Sequence, residues 1–237
     1  SRIVPDGLCW KVEPLPGESL SSALGVLGIP GLTAYFGLME VGRPKVGETV
    51  LVSGAAGTVG SLAGQIARLK GFRAIGIAGG ETKRRKLIEE YGFDAAVDYK
   101  GRSVAELSAA IREVCPAGVD VFFDNVGGTV LDAALAQMNP GGRVAACGMI
   151  SQYDGSPPPQ MQNLFHIISK SLRIEGFLLF NFAHSYPRAF AELRAWADAG
   201  ELHCREDIGE GLEQAVPLFI KLFSGENHGK ALVRLET

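Results

Sequence analysis

Six short apolar runs alternate with segments of helical length between residues 49 and 180, and this alternation limits the possible folds more than any other feature. The first five runs are nearly continuous in apolar residues, as strands are when helices cover both faces of a parallel sheet. The intervening segments repeat apolar residues every three or four positions, which predicts amphipathic helices. Repeated β-α-β units of this kind predict an α/β fold with a doubly wound parallel sheet of about six strands. The predicted strands are residues 49–54, 73–79, 95–99, 120–126, 143–148 and 171–180.

One of the predicted helices has a clear starting signal. Ser103 precedes the segment "VAELSAAIREV", and Glu106 follows it three residues later. This is the spacing of a capping box, in which each side chain accepts a hydrogen bond from the other residue's backbone N–H. The apolar residues of this segment that share one helix face are Val104, Leu107, Ala110, Ile111 and Val114.

The composition is that of an ordinary globular protein without a basic surface. Of the 237 residues 46% are hydrophobic, the formal net charge is −3, and there is no Lys/Arg block. The sequence therefore has no electrostatic signature for nucleic acid or an anionic membrane, and no apolar run approaches the roughly 18 to 20 residues of a membrane helix. The cysteines include no C-x-x-C pair, which predicts free thiols and a cytoplasmic location. They are Cys9, Cys115, Cys147 and Cys204.

The turn after the first predicted strand has the form of a phosphate cradle. It reads "GAAGTVG" from Gly54 to Gly60, so that Ala55 occupies the first glycine position of G-x-G-x-x-G while Gly57 and Gly60 keep the other two. Such a turn lets the backbone approach a pyrophosphate at a helix N-terminus. The same spacing occurs in ordinary tight turns, but a strand before it and a helix after it favour dinucleotide binding.

The residues after the second predicted strand distinguish NAD from NADP. An NAD site usually has Asp or Glu there, about 20 residues beyond the turn, to bind the ribose 2′-hydroxyl. Here the strand ends in Ala78–Gly80, and Glu81, Lys83, Arg84 and Arg85 follow. Three cations without the expected acid predict a site for the 2′-phosphate of NADP(H), in which Lys83→Ala removes most of the preference for NADPH. Glu81 comes late for a ribose ligand, and a solvated helix face is the alternative for the cations.

Two other dehydrogenase chemistries do not fit the sequence. A short-chain dehydrogenase needs a Tyr-x-x-x-Lys pair, and none of the five tyrosines has a lysine four residues later. A zinc alcohol dehydrogenase needs Cys, His and carboxylate ligands around an open position. The four histidines lie late in the chain, and His203 and Cys204 are the one near pair. Because the side chains of adjacent residues tend to diverge, no metal site is predicted.

Longer motifs carry a family resemblance. They are "LGVLGIPGLTAYFGL" (24–38), "VSGAAGTVGSLAGQIARLKG" (52–71), "YGFDAAVDYK" (91–100), "FDNVGG" (123–128), "CGMISQYDG" (147–155) and "GENHGK" (225–230). With them the sequence resembles the zinc-independent medium-chain dehydrogenases/reductases, in the branch of leukotriene B4 12-hydroxydehydrogenase/prostaglandin reductase-like enzymes. Zinc-dependent relatives carry a cysteine ligand just ahead of the nucleotide domain, whereas "LGVLGIPG" has none. The resemblance covers essentially the whole chain and implies a Rossmann fold and NADPH-dependent reduction of a carbon-carbon double bond conjugated to a ketone or aldehyde.

The resemblance also implies which residues bind the cofactor. They are Ala56, Gly57, Thr58, Val59 and Gly60 at the pyrophosphate; Gly79, with Lys83 at the 2′-phosphate and Tyr99 beside the adenosine; Asn125 near the nicotinamide ribose; Cys147, Gly148, Met149, Ile150 and Tyr153 along the cofactor; Phe177, Leu178 and Leu179 at the carboxamide; and Asn227, which closes over the site.

Tyr153 is the candidate catalytic residue. In the implied reaction hydride passes from the nicotinamide to the β-carbon, charge collects on the carbonyl oxygen as an enolate, and a proton is added at the α-carbon. A phenol can donate a hydrogen bond to that oxygen. Alternatively, Tyr153 only packs or binds the cofactor ribose, and solvent or a cofactor hydroxyl supplies the proton. Quinone reduction and a non-catalytic NADP-binding module are the alternative functions.

The expected domain organisation follows from the same resemblance. Members have a GroES-like catalytic domain ahead of the nucleotide domain, and only 48 residues precede the first predicted strand. We expect a remnant of the catalytic domain and the join in residues 1–34, the dinucleotide-binding domain in 35–202, and a segment returning to the catalytic domain in 203–237. Such a fragment is expected to bind NADPH with little activity of its own. The late strand "RIEGFLLF" (173–180) is a candidate edge for a homodimer.

Overall fold

The computed structural model describes residues 19–153, 155, 160–224 and 229–235. Its centre is a six-stranded parallel sheet in the order β3-β2-β1-β4-β5-β6. The strands are β1 Thr49–Val52, β2 Arg73–Ala78, β3 Ala95–Asp98, β4 Val119–Asp124, β5 Met138–Ala146 and β6 Arg173–Gly176. The doubly wound α/β fold that the alternating pattern predicts is confirmed.

Helices cover both faces of this sheet. They are α1 Ile29–Phe36, α2 Thr58–Leu69, α3 Glu81–Glu89, α4 Val104–Val114, α5 Gly128–Gln137, α6 Phe165–Ser169 and α7 Tyr186–Asp198. One buried cluster lies beneath α1, α2 and α7 and includes Phe123, while the other lies beneath α4 and α5 and includes Phe122. The two neighbouring rings enter different cores because successive residues of a strand face opposite sides of the sheet.

The capping box predicted for α4 is present. The Ser103 hydroxyl accepts a hydrogen bond from the Glu106 backbone N–H at 3.3 Å, and the Glu106 carboxylate accepts one from the Ser103 N–H at 2.8 Å. The helix therefore starts where the sequence predicts.

The last strand of the sheet is shorter than predicted. The apolar run 171–180 predicts a strand to residue 180, but β6 ends at Gly176, and a short 3₁₀ segment begins at Leu179. An apolar residue at position 177 is explained by packing and not by a continuing strand. The Phe177 ring packs edge-on against Phe123, with the ring centroids 6.5 Å apart.

The tail forms a small β-α-β unit of its own. Strands β7 Glu206–Glu210 and β8 Lys230–Arg234 pair in parallel, and α8 Ala215–Ser224 lies between them in the chain. The buried Gln65 of α2 holds the start of this segment, because its side chain donates to the His203 carbonyl at 2.9 Å and accepts from the His203 N–H at 3.1 Å. The domain boundaries at 34 and 202 stay predictions. Among the described residues no helix is long and apolar enough to cross a membrane, and the cytoplasmic location stays a prediction.

Candidate active site

The predicted site residues gather at the carboxyl ends of the parallel strands. β1 and β4 are neighbours in the sheet, but the chain continues from β1 to β2 on one side and from β4 to β5 on the other. This is a topological switch point, where the loops after the two strands diverge and leave a crevice.

The turn between β1 and α2 has the tight geometry that a phosphate cradle requires. Gly54 adopts a φ of +58°, and the Gly57 N–H donates to the Gly54 carbonyl at 2.9 Å. A Cβ on Gly60 would lie 2.8 Å from the Ala55 Cα, so that only glycine lets the helix start this close to the turn. No side chain caps the N-terminus of α2. Its first backbone N–H groups therefore point to the crevice, as they do in sites that bind phosphate.

The structure shows why alanine can occupy the first glycine position of the motif. The methyl group of Ala55 is fully buried and faces Gly76 in the adjacent strand β2, where an added Cβ would lie 3.0 Å from it. The Ala55 N–H donates to the Ile77 carbonyl at 3.1 Å. Gly76 therefore leaves the space that Ala55 fills, a relation that sequence spacing did not predict.

Asp124, at the end of β4, connects the loops around the switch point. Its buried carboxylate accepts hydrogen bonds from the Ser53 hydroxyl at 2.6 Å and from the N–H groups of Val126 and Gly127, each at 3.0 Å. Burial raises the pKa of Asp124 in spite of these bonds. The Asn125 side chain donates to the Ser53 carbonyl at 2.7 Å. The Asn125 N–H donates to the Ser53 hydroxyl at 2.8 Å, so Asp124 positions Asn125 through Ser53. Asn125 was predicted from the sequence, and Asp124 was not.

The loop after β5 carries Tyr153 into the site. The N–H groups of Cys147 and Gly148 donate to the Asp124 carbonyl at 2.8 and 3.1 Å, and the Met149 N–H donates to the Tyr153 hydroxyl at 3.1 Å. The Tyr153 oxygen thus accepts a hydrogen bond from its own loop, which leaves its hydrogen available for donation elsewhere. Burial, with the charge of Asp124, raises the pKa of Cys147 to about 12, so this thiol is protonated at neutral pH.

A cavity of about 480 Å³ lies beside this loop and completes the site toward β6. Gly37, directly after α1, packs against the ring of Phe177. A Cβ there would lie 2.6 Å from the Phe123 ring and closer still to the Phe177 ring. The residues lining the cavity are Ala146, Cys147, Gly148, Met149, Tyr153, Gly176, Phe177, Leu178 and Asn181.

At the opposite end of the site, Gly79 lies between the side chains of Tyr99 and Lys100. A Cβ on Gly79 would lie 3.1 Å from the Tyr99 ring and 2.8 Å from the Lys100 Cε. Lys83 follows on α3, and burial, with the nearby charges of Lys100 and Lys86, lowers its pKa. Gly79, Lys83 and Tyr99 were predicted site residues, and Lys100 was not.

The fold thus brings most of the predicted site residues to one edge of the sheet. The cradle residues 56–60 lie at its centre, Gly79, Lys83 and Tyr99 at one end, and the segments 147–150 and 177–179, with Asn125 and Tyr153, at the other. Asn227 lies outside the described residues. Within the described part of the chain no group of three or more His, Cys, Asp or Glu side chains could hold a metal ion, and the absence of zinc stays a prediction.

Comparison with known proteins gives the family. The sequence model of the family described as "Zinc-binding dehydrogenase" matches residues 58–195, from the start of α2 into α7. The chain belongs to this family. Its membership among the medium-chain dehydrogenases/reductases, which the sequence motifs imply, is confirmed.

Similar family members include named reductases. The chain is 46% identical over 233 residues to the "2-alkenal reductase (NADP(+)-dependent)" of Nicotiana tabacum, covering 98% of this chain and 67% of the relative. It is 45% identical over 217 residues to "Prostaglandin reductase 1" of Mus musculus, covering 91% and 65%. The crystal structure of CurA in complex with NADPH from Vibrio vulnificus has a TM-score of 0.85 and 41% identity, covering 92% and 65%. The chain thus spans about two thirds of the length of these relatives.

Proposed function

We propose that this chain contains the nucleotide-binding part of an NADPH-dependent oxidoreductase that reduces the carbon-carbon double bond of α,β-unsaturated ketones or aldehydes. One observation supports the proposal: the uncapped N-terminus of α2, the end of the site with Lys83 and the loop with Tyr153 all lie along the same edge of the sheet. The names of the tobacco and mouse relatives and the NADPH bound to the Vibrio structure support both the cofactor and the substrate class.

The residues fit NADPH at each part of the molecule. The uncapped N–H groups at residues 58–60 would hold the pyrophosphate, and the close packing of Gly60 on Ala55 brings them near it. Lys83 would pair with the 2′-phosphate. The cavity bounded by Cys147, Tyr153 and Phe177 would receive the nicotinamide end.

The proposed role of Tyr153 is to stabilise negative charge on the substrate. Bound NADPH supplies the hydride. Tyr153 donates a hydrogen bond to the carbonyl oxygen, on which charge collects as the β-carbon is reduced, and a proton from solvent is then added at the α-carbon. The Met149 N–H orients the phenol by donating to its oxygen. Because the pKa of Cys147 is raised, its thiol stays protonated beside the substrate. Zinc has no part in this proposal, because "LGVLGIPG" lacks the cysteine ligand of zinc-dependent relatives.

The proposal is tested by following NADPH consumption with the longest natural reading frame that contains this chain. A conjugated alkenal, a conjugated enone and a quinone are assayed in parallel, and the product is analysed for reduction of the double bond. We expect the alkenal and the enone to be reduced at the double bond and to have the higher kcat/KM. A higher kcat/KM for the quinone would replace the proposed substrate class. NADPH binding without turnover of any of the three would indicate a binding module.

We also propose that the chain forms a homodimer through β6. This strand lies at the end of the sheet and pairs only with β5, so its other edge is open within the described part of the chain. Apolar side chains are exposed around it: Ile174 is 40% exposed, and Phe165 and Ile168 of the preceding helix α6 are 70% and 75% exposed. An open edge next to apolar surface suits pairing with a second copy.

A further inference from the structure

The three cations that the sequence places after β2 do not form one cluster. The Arg84 guanidinium donates to Glu81 at 3.0 Å and to the Ala96 carbonyl at 3.3 Å. Arg85 pairs with Glu89, four residues later on the same helix, at 3.5 Å. Both arginines are thus engaged in contacts along α3 and β3, and Lys83 is the cation of this group that the family resemblance places at the 2′-phosphate.

A fourth cation, Lys100, lies at the same end of the site and comes from a different strand. Its methylene groups cross the backbone at the end of β2, since a Cβ on Gly79 would lie 2.8 Å from the Lys100 Cε and 3.1 Å from its Cγ. In this fold class the adenosine ribose is bound at the end of the second strand. Lys100 therefore extends over the place where the 2′-position of a bound dinucleotide would lie.

Asp98 fixes Lys100 in this position. One oxygen of its carboxylate accepts hydrogen bonds from the Gly80 N–H and the Lys100 N–H, both at 3.0 Å, which joins the turn after β2 to the turn after β3. Burial alone would raise the pKa of Asp98, but these bonds and the charges of Arg84 and Arg102 lower it. The carboxylate is consequently ionised at neutral pH and used for holding the two turns together.

Lys83 and Lys100 are close enough to affect each other. Burial contributes most to lowering the pKa of Lys83, and the charge of Lys100 contributes next. Two ammonium groups that repel each other in the free protein gain from an anion bound between them. A phosphate monoester offers such an anion, with several acceptor oxygens for two donors.

We propose that Lys100 is a second determinant of NADPH specificity, and that Lys83 and Lys100 together bind the 2′-phosphate. The proposal rests on the proposed function, because it assumes that NADPH is the cofactor. NADH has a hydroxyl at this position and gains nothing from the second cation. The two lysines come from α3 and from the turn after β3, so the parallel pairing of β2 with β3 brings them together.

The test measures the dissociation constants of NADPH and NADH by titration calorimetry on the longest natural reading frame that contains the chain. We expect Lys100→Ala to weaken NADPH about tenfold or more, the usual effect of losing one charge-assisted hydrogen bond, and NADH less than twofold. Lys100→Met keeps the methylene cover over Gly79 and removes only the charge, so we expect it to weaken NADPH as Lys100→Ala does. Lys83→Ala serves as the reference for a cation at this phosphate.

Lys86→Ala is the matched control. It removes one positive charge from the same helix as Lys83, three residues further along, and Lys86 lines a groove with Arg205 and Glu90 that does not include Lys83. We expect its ratio of NADPH to NADH affinity to equal that of the unmutated protein. The role of Lys100 would be overturned if Lys86→Ala lost as much NADPH affinity as Lys100→Ala, or if Lys100→Met bound NADPH as tightly as the unmutated protein. Equal affinity of the unmutated protein for both cofactors would instead overturn the proposed cofactor.

Discussion

At the scale of single residues, the Tyr153 hydroxyl has a defined direction of donation. Its oxygen accepts the Met149 N–H, so its hydrogen is available for donation into the adjoining cavity, which Tyr153 lines. The side chain is 64% exposed, and water can replace it as the acceptor for the Met149 N–H. A substitution at this position therefore changes the hydrogen bonding of the site with little effect on folding.

We expect Tyr153→Phe to lower kcat for a conjugated enone by roughly 100-fold, the usual effect of removing one donor to a developing oxyanion. Steady-state kinetics gives kcat, and calorimetry gives the dissociation constant of NADPH, which should change less than twofold. An unchanged kcat would exclude Tyr153 as the donor. A large loss of NADPH affinity would show that the hydroxyl binds the cofactor ribose instead.

The site residues that the sequence predicted are located by local patterns, whereas those that it did not predict depend on how the strands pair. Gly57, Gly60 and Lys83 follow within a few residues of a strand, so that a local pattern locates them. Lys100 and Asp124 act across strands. The approach of Lys100 to Gly79 depends on the register that pairs Ala78 with Asp98, and no local pattern specifies that register.

At the scale of elements, the segment after α1 is held by arginines from two strands of the sheet. α1 continues as a π-helix, Gly37–Gly42, and ends at Arg43 with a φ of +47°. Arg143 of β5 donates to the carbonyls of Gly42 and Arg43 at 3.0 and 2.8 Å, and Arg173 of β6 donates to the Val41 carbonyl at 2.8 Å. The free carbonyls of a helix C-terminus thus accept hydrogen bonds from cations, whose charge also interacts favourably with the negative end of the helix dipole.

We expect Arg143→Met to lower the free energy of unfolding by about 2 to 3 kcal/mol, because it leaves two carbonyls and the largely buried Glu48 without their charged donor. Urea unfolding followed by circular dichroism measures this change. Arg112→Met is the control, since the Arg112 guanidinium makes an exposed bond to Gln137 at 3.3 Å and should change the free energy by less than about 0.5 kcal/mol. Equal effects of the two variants would mean that Arg143 does not hold this segment.

The same cluster predicts a pH dependence of stability. Burial alone would raise the pKa of Glu48, but hydrogen bonds from Arg143 and from the Lys45 N–H outweigh burial and lower it. A carboxyl whose pKa is lower in the folded state stabilises the fold above its unfolded pKa and loses this effect as the pH falls through its folded pKa. We expect Glu48→Gln to flatten the fall in unfolding free energy below about pH 4.5. Arg143→Met, which removes the charged donor to Glu48, should flatten the profile in the same way, and an unchanged profile in Glu48→Gln would contradict the assignment.

Element boundaries were predictable where one helix face is buried against the sheet. Helix α4 begins and ends as its capping box and apolar stripe predict. The π-helix was not predictable, because bonds from Arg143 and Arg173, more than one hundred residues away in the chain, stabilise its end. The end of β6 was not predictable either, since Phe177 is apolar through its contact with Phe123.

At the scale of the whole molecule, the sheet ends at β3 on one side and at β6 on the other. Next to β3 the surface is charged, with Lys100 and Arg102 exposed. β6 itself carries an exposed ion pair between Arg173 and Glu175 at 3.4 Å, and the preceding helix α6 exposes the apolar side chains of Phe165 and Ile168. Exposed apolar side chains lie on both β6 and α6, so we propose that a second copy binds at β6.

We expect Ile174→Lys to convert a dimer into a monomer, because it places a charge on the exposed edge of β6. Sedimentation velocity across a micromolar range of concentrations should show a dimer for the unmutated protein and a monomer for this variant. Ile88→Lys is the control: Ile88 is 47% exposed on α3, against 40% for Ile174, and this variant should remain dimeric. Since the cradle and the Lys83 end lie within one chain, the NADPH dissociation constant should be the same for all three proteins. A monomeric unmutated protein, or a dimer that persists in Ile174→Lys, would exclude β6 as the contact.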